Sequence, residues 1–429
     1  MEKVEEIKPE ERTTKSSLDV DPELKDEIDH VLLMYSGGLD TSVMLTWIQD
    51  KYEAKVSTFT VDVGQREAHL DQVRDKALDL GAENAFVVDA KEQFADEYIS
   101  KSIKANGLYQ DSYPLSTAIA RPLMSEIAVE YANSEGISAI AHGSTGKGND
   151  QVRFEASITA LDDSIEVLAP IRKWDMGRDE ELAYAEENGI PIPVDVGSPY
   201  SIDENLWGRS VECGELENPN VEPPKNVHEL VSPLEETPDE PEYVELGFEG
   251  GVPTELDGEK LELVPLIKKL TEKAGKHGVG LIDMVEDRIV GLKSREIYET
   301  PAASVILKAH KELEKFCSTR HENSFKPIVD KKWAEMIYQG LAFDPLVADL
   351  EAYIEQVNNK VHGTIRLKLF KGKAKVVGRD SENGLYSYSL ATYDEGSTFD
   401  QSSSEGFIDI WSLPTRVGFN HEKKSKESG

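Results

Sequence analysis

From residue 30 onward the chain alternates short apolar or β-branched runs with stretches of helical period, and this alternation constrains the fold more than any other feature. Residues 30–35 (HVLLMY) run into Ser-Gly-Gly, residues 41–51 space Val43, Leu45, Trp47 and Ile48 for one helix face, and residues 55–63 (KVSTFTVDV) are rich in β-branched side chains. A helical stretch at 69–80 closes on Gly81 as its C′ residue, and 85–88 reads as a third strand. Helices at 92–104 and 117–131 lead to strands at 137–141 and 165–169. Strands alternating with helices of this length predict an α/β fold, a parallel sheet with helices on both faces. Ligands in such sheets bind beyond the carboxyl ends of the strands, so the loops after strands are where function is sought.

After residue 194 the alternation stops. Residues 215–242 are proline-rich and include the acidic run EETPDEPE, the pattern of an exposed, extended connector. Strands at 243–248, 260–264, 362–370 and 374–377, with helices at 265–274, 301–316, 331–339 and 345–358, predict a second, α+β domain without internal repeats. The expected division is an acidic extension (1–28), an α/β domain (29–194), the α+β domain (195–405), and a C-terminal segment with a polar tail (406–429). A chain of 429 residues accommodates this, at roughly 100–200 residues per domain.

The sharpest motif is Ser36-Gly37-Gly38-Leu39-Asp40-Thr41-Ser42, between the first strand and the first helix. Adjacent glycines let the backbone approach a ligand, while the hydroxyls and the helix start supply donors to an anion. The bland alternative is a plain βα turn with Asp40 as its N-cap. The run is not a Walker A loop, which needs G-x-x-x-x-G-K-[ST]. A second Gly-rich loop, residues 142–155 (HGSTGKGNDQVRFE), follows the fourth strand and adds Asn149, Asp150 and Arg153. Taken singly, Asp150 could serve as an N-cap and Arg153 as its ion-pair partner. Two phosphate-type loops after strands of one sheet are harder to explain structurally.

These motifs, followed in order by Tyr113-Pro114-Leu115, Ala120-Arg121-Pro122, residues 200–210 (YSIDENLWGRS), residues 285–288 (VEDR) and residues 293–299 (KSREIYE), resemble the argininosuccinate synthase family from about residue 29 to 413. The resemblance implies ATP-dependent condensation of citrulline with aspartate to argininosuccinate, AMP and pyrophosphate, in arginine biosynthesis or a urea cycle. A citrullyl adenylate is the implied intermediate, with Mg²⁺ accompanying ATP. It also implies that Met34, Tyr35, Ser36, Gly37, Gly38, Leu39, Asp40, Thr41, Ser42, Val61 and Gly143 bind ATP. Tyr109, Pro114, Asn149, Arg153, Ser201, Ser210, Glu286 and Tyr298 match the citrulline site, and Thr145, Asn149 and Asp150 the aspartate site. Pro114 has only a carbonyl and a ring to offer. No residue is singled out as a metal ligand or as the general base, although His142 stands near the site in sequence. Homotetramers are expected from the same resemblance, with residues 406–420 reaching a neighbouring subunit. A thiolase acting on transfer RNA needs a positive surface and paired cysteines, whereas this chain has only Cys213 and Cys317, far apart. A nucleotide sensor without turnover needs none of the substrate motifs of the second half.

Charge narrows the partners. Asp and Glu number 82 against 47 Lys and Arg, a net charge of −35, which repels nucleic acid and anionic membranes. The first 28 residues hold ten acidic and five basic residues and no apolar run, unlike a secretory or organelle-targeting leader, so a cytoplasmic location is expected. Arg121, Lys147, Arg153 and two helix starts must then form a local island of donors for anionic substrates. The acidity itself matches a high-salt cytoplasm, where the Debye length falls to about 3 Å at 1 M. Activity and unfolding temperature are expected to rise together between low and molar KCl. Full stability at low ionic strength would contradict that adaptation.

Overall fold

Strand β1 (His30–Met34) sets the pattern of the N-terminal sheet. Its side chains alternate between two cores, Val31 and Leu33 on one face and Leu32 and Met34 on the other, so the strand is apolar throughout. Around it the chain winds through α1 (Leu39–Tyr52), β2 (Lys55–Asp62), α2 (Leu70–Asp79), β3 (Asn84–Asp89) and α3 (91–104), whose central turn Phe94–Ile99 is π-helical. α4 (Ala120–Glu135), β4 (Ala139–Ala141), α5 (Asp150–Leu161), β5 (Glu166–Leu168) and α6 (Arg178–Glu187) complete this part. The computed structural model describes residues 28–65, 70–172, 174, 178–191, 199–394 and 397–427. The expected acidic extension, apart from Ile28, and His69 lie outside the described residues.

The five strands are all parallel, in the order β3-β2-β1-β4-β5. The chain moves outward from β1 to β3 and then returns to lay β4 on the other side of β1. That reversal opens a crevice at the carboxyl ends of β1 and β4, where both Gly-rich loops begin. α2 ends as expected: Gly81 has φ 88°, and the N–H groups of Gly81 and Ala82 bond the carbonyls of Leu78 and Ala77, both at 3.0 Å.

The rest of this unit is antiparallel. In chain order it comprises β6 (Ser201–Asn205), β7 (Gly208–Glu212), β8 (Glu242–Glu249), β9 (Val252–Leu256), β10 (Glu259–Lys260), α7 (Leu263–Lys276), β11 (Leu281–Asp287), β12 (Lys293–Glu299), α8 (Pro301–Cys317), α9 (Arg320–Tyr338), α10 (Pro345–Asn358), β13 (Gly363–Phe370) and β14 (Lys373–Asp380). Two sheets result, β10-β9-β8-β13-β14 and β11-β12-β7-β6. Residues from Gly384 onward form a separate unit. It contains α11 (Tyr388–Ala391), α12 (Ser403–Trp411) and α13 (Leu413–Glu427), and Phe407, Ile410, Trp411 and Phe419 on the last two helices are exposed.

Three expectations are corrected. Residues 260–264 are not a strand: pairing stops at Lys260, the Leu261 N–H closes on the Thr254 carbonyl, and Leu263 already begins α7. The helix expected at 331–339 is the second half of α9, which starts at a reciprocal cap between Thr319 and Glu322 and carries Pro327 in its interior. Residues 215–242 are largely exposed as expected but are not simply extended. They fold into short 3-10 turns that bury Leu216, Val227 and Val231.

Glu299 explains that last correction. Fully buried, it accepts the N–H groups of Glu229, Leu230 and Val231 on Oε1 at 2.8–2.9 Å and the Arg209 guanidinium on Oε2 at 2.7 Å. Removing one partner of a buried ion pair leaves the other uncompensated. Glu299→Ala is therefore expected to cost about 3–5 kcal/mol, visible as a lower urea midpoint; an unchanged midpoint would remove Glu299 from this role.

Candidate active site

The first loop is shaped by its glycines. Gly37 has φ 80°, and a Cβ there would lie 2.9 Å from Cγ2 of Val73 on α2. Gly38 takes the N-cap of α1 in extended conformation, with no side chain capping the helix, so the start of α1 is open to an anion. Asp40 sits in the first turn and does not cap α1, unlike the N-cap of the plain-turn reading. The hydroxyls divide their work. Ser42 is buried, donates to the Gly38 carbonyl at 2.7 Å and lies 3.0 Å from the Tyr35 hydroxyl, so it fixes the loop. Ser36 and Thr41, 3.2 Å apart, line the cleft.

That cleft has a volume of about 1180 Å³, more than the roughly 300–1,000 Å³ of a typical single-ligand pocket. Met34, Tyr35, Val61 and Gly143 line it, together with Arg121, Asp150, Ser201 and Asp203. Gln65 braces the wall by donating to the Val61 carbonyl at 3.0 Å and accepting the Val63 N–H at 2.9 Å.

The second loop is laced by Gln151, which donates to the carbonyls of Gly146 and Gly148 at 2.6 and 3.2 Å. Thr145 stands exposed on it. His142 is wholly buried beneath; Nδ1 lies 3.2 Å from the Ser144 N–H and Nε2 3.2 Å from Glu155. With Nδ1 accepting, Nε2 carries the proton and donates to Glu155. Neither nitrogen is available as a base, and His142 holds the loop. Glu155 is kept below the usual carboxylate range by its bond to His142, with Arg172 adding to it.

Asp150, the first residue of α5, joins the cleft to a second group of side chains. Its Oδ2 accepts Arg121 Nε and Nη2 at 3.0 and 2.7 Å, and its Oδ1 accepts Arg153 Nη1 at 2.9 Å. Burial opposes its charge, but the two guanidinium groups outweigh that and hold the carboxyl well below its ordinary range. Arg121 also pairs with Asp203 on β6, whose carboxyl is pushed up by burial and by the nearby charge of Asp150.

Beyond Asp150, the remaining expected residues converge. Arg153 donates Nε to the Tyr338 carbonyl at 3.0 Å, while its buried Nη2 has no partner among the described residues. Asn149 donates to the Tyr338 hydroxyl at 2.8 Å and accepts the Ile289 N–H at 2.9 Å. Glu286, 2 % exposed, accepts the Tyr298 hydroxyl at 2.6 Å and the Tyr338 hydroxyl at 2.5 Å. Burial raises its pKa against these two donors. Tyr109 stacks on Tyr338 with ring centres 3.5 Å apart. The register of β12 on β7 sets Ser210 opposite Tyr298. Pro114 is buried, and its carbonyl accepts the Trp207 indole at 2.9 Å.

Sequence reasoning missed Tyr338 and Asp203. Tyr338 ends α9, far from every motif in sequence. The one local signal is Gly340, where φ is 78° and a Cβ would lie 2.8 Å from the Arg153 Cα.

A parallel sheet with two Gly-rich loops at its switch point, beside a buried cluster holding both charge signs, is the architecture of a nucleotide-binding α/β protein. Residues 30–191 match the family model described as the arginosuccinate synthase N-terminal HUP domain, and residues 200–418 match the arginosuccinate synthase C-terminal domain. The chain is 54% identical to the argininosuccinate synthase of Rubrobacter xylanophilus, over 90% of this chain and 94% of that protein. It is 51% identical to the enzyme of the same name from Pyrococcus furiosus, over 91% and 94% of the two chains. The chain belongs to the argininosuccinate synthase family, carbon–nitrogen ligases of arginine biosynthesis that use ATP to join citrulline to aspartate.

Gly37→Ala tests the first loop. Forcing a Cβ into the left-handed region costs about 1–3 kcal/mol, so the ATP KM is expected to rise about ten- to a hundredfold with the citrulline KM unchanged. An unaltered ATP KM would show that the loop does not seat the nucleotide.

Proposed function

We propose that the chain performs the family's condensation in two displacements, with the site residues placed as follows. ATP lies in the cleft, its phosphates against residues 36–42 and Gly143, its base beside the Val61 backbone. Citrulline occupies the cluster of Tyr109, Pro114, Asn149, Arg153, Ser201, Ser210, Glu286 and Tyr298. Aspartate is taken by Thr145, Asn149 and Asp150. The citrulline ureido oxygen attacks the α-phosphorus and the bond to pyrophosphate breaks. The aspartate amine then attacks the ureido carbon of the citrullyl adenylate, loses a proton, and AMP departs with the bridging oxygen. A ureido group is a poor electrophile, and the phosphate ester supplies its leaving group. The α1 start and the Ser36 and Thr41 hydroxyls stabilise the departing pyrophosphate.

One observation carries this reading: within one buried cluster, among the described residues, Arg153 keeps an unpartnered Nη2 while Glu286 keeps a carboxylate hydrogen-bonded by two phenols. A zwitterionic amino acid needs one of each, a donor for its carboxylate and an acceptor for its ammonium. Ser36, Asp40 and Thr41 fit a Mg²⁺ that arrives with ATP and takes most of its ligands from phosphate and water. When bound, it would neutralise charge on the pyrophosphate.

The division at residues 29–194, 195–405 and 406–429 belongs to the same proposal, as do a cytoplasmic location and a homotetramer assembled through the C-terminal arm. The exposed aromatic residues of α12 and α13 favour burial of that arm against another subunit. Pyrophosphate release is expected only when ATP, citrulline and aspartate are all present during turnover. Glu286→Gln should raise the citrulline KM about tenfold or more and leave the ATP KM alone. An unchanged citrulline KM would refute the ammonium assignment.

A further inference from the structure

We propose that Tyr338 is a positioning residue of the amino-acid site, setting the Glu286 carboxylate and the Asn149 amide and keeping Glu286 and Arg153 apart. This rests on the assignment of those residues to citrulline.

Tyr338 reaches each of them by a different part of itself. Its hydroxyl accepts from Asn149 Nδ2 at 2.8 Å and donates to Glu286 Oε1 at 2.5 Å. Its carbonyl accepts Arg153 Nε at 3.0 Å, and its ring lies 4.8 Å from the Arg153 guanidinium carbon. The ring is immobilised by Tyr109 stacked at 3.5 Å and 6°, and by the edge of Tyr113 at 6.4 Å and 84°. Only 1 % exposed, it has one place to be.

The consequence is electrostatic. Asp150 spends its charge on Arg121 and Arg153. Glu286 has two neutral phenols on its two oxygens, Tyr298 and Tyr338, so its negative charge remains for a cationic ligand. Arg153 touches the same tyrosine and, among the described residues, pairs with Asp150 rather than Glu286. Tyr338 is thus a wedge between an anion and a cation that would otherwise cancel. A substrate carrying both charges meets a carboxylate bonded by phenols and a guanidinium whose Nη2 is unpartnered among the described residues.

Tyr338→Phe removes one oxygen, keeping the stack and the backbone carbonyl. A hydrogen bond to a charged group is lost, and the citrulline KM is expected to rise about ten- to a hundredfold. The KM for ATP should not move. The aspartate KM should move less than that for citrulline, because Asn149 keeps its bond from Ile289. The double variant Tyr338→Phe with Glu286→Gln should lose less than the two single losses combined, since the hydroxyl acts in part through that carboxylate. An unchanged citrulline KM in Tyr338→Phe, additive losses in the double variant, or equal losses for all three substrates would overturn the proposal. So would failure of the Tyr338→Phe chain to fold, since the hydroxyl would then serve the fold. If Glu286→Gln alone leaves the citrulline KM unchanged, the site assignment falls instead, and the two failures are told apart.

Discussion

The organisation of the site depends on one carboxylate between two guanidinium groups. Asp150 begins α5 at the end of the loop that follows β4, and it draws in Arg121 from α4 on one side and Arg153 from its own helix on the other. Burying any of these charges alone is costly, so each must be paired, and the pairing fixes where each can stand. Arg121 then reaches Asp203 on β6, tying the parallel sheet to the antiparallel one. Arg153 reaches Tyr338 at the end of α9. A nucleotide cleft built by the first part of the chain is thereby joined to a cluster that the second part completes.

Within that frame, charge is distributed by what each group needs to keep. Asp150 is saturated by cations and stays ionised, whereas Glu286 is buried among phenols and its pKa rises. Glu296 on the neighbouring strand is pushed up to about 8 by burial and by the charges of Glu212 and Glu286, with Arg288 in opposition. The site is therefore not a simple basic pocket in an acidic protein. It combines ion pairs around Asp150 with a Glu286 carboxylate bonded by phenols, against a net charge of −35 on the chain as a whole. Substrates that carry both signs can match such a cluster.

Much of this was legible in sequence where the signal is local. β1, its Gly-Gly turn and α1 follow from an apolar run, two adjacent glycines and a helical period, all within some twenty residues, and strand order then places the loop at the crevice. The antiparallel strands β6, β7, β11 and β12 escaped the reading of secondary structure because SIDEN, GRSVE, LIDMVED and KSREIYE carry polar side chains on both faces, with no apolar period to betray them. The proline-rich stretch looked extended because the residue that folds it, Glu299, lies about seventy positions away. Tyr338 was invisible for the same reason: its partners come from α5 and β11, and nothing in its own neighbourhood except Gly340 hints at them.

The claim that Asp150 organises both halves of the site has a direct test that needs no aspartate. ATP labelled with ¹⁸O at the α–β bridge reports reversible cleavage by scrambling the label within the pyrophosphate. With citrulline alone, the unaltered enzyme should scramble, and Asp150→Asn should still bind ATP but lose scrambling, because Arg121 and Arg153 are no longer held. Scrambling by Asp150→Asn at the unaltered rate would contradict the account and leave Asp150 as a ligand for aspartate alone.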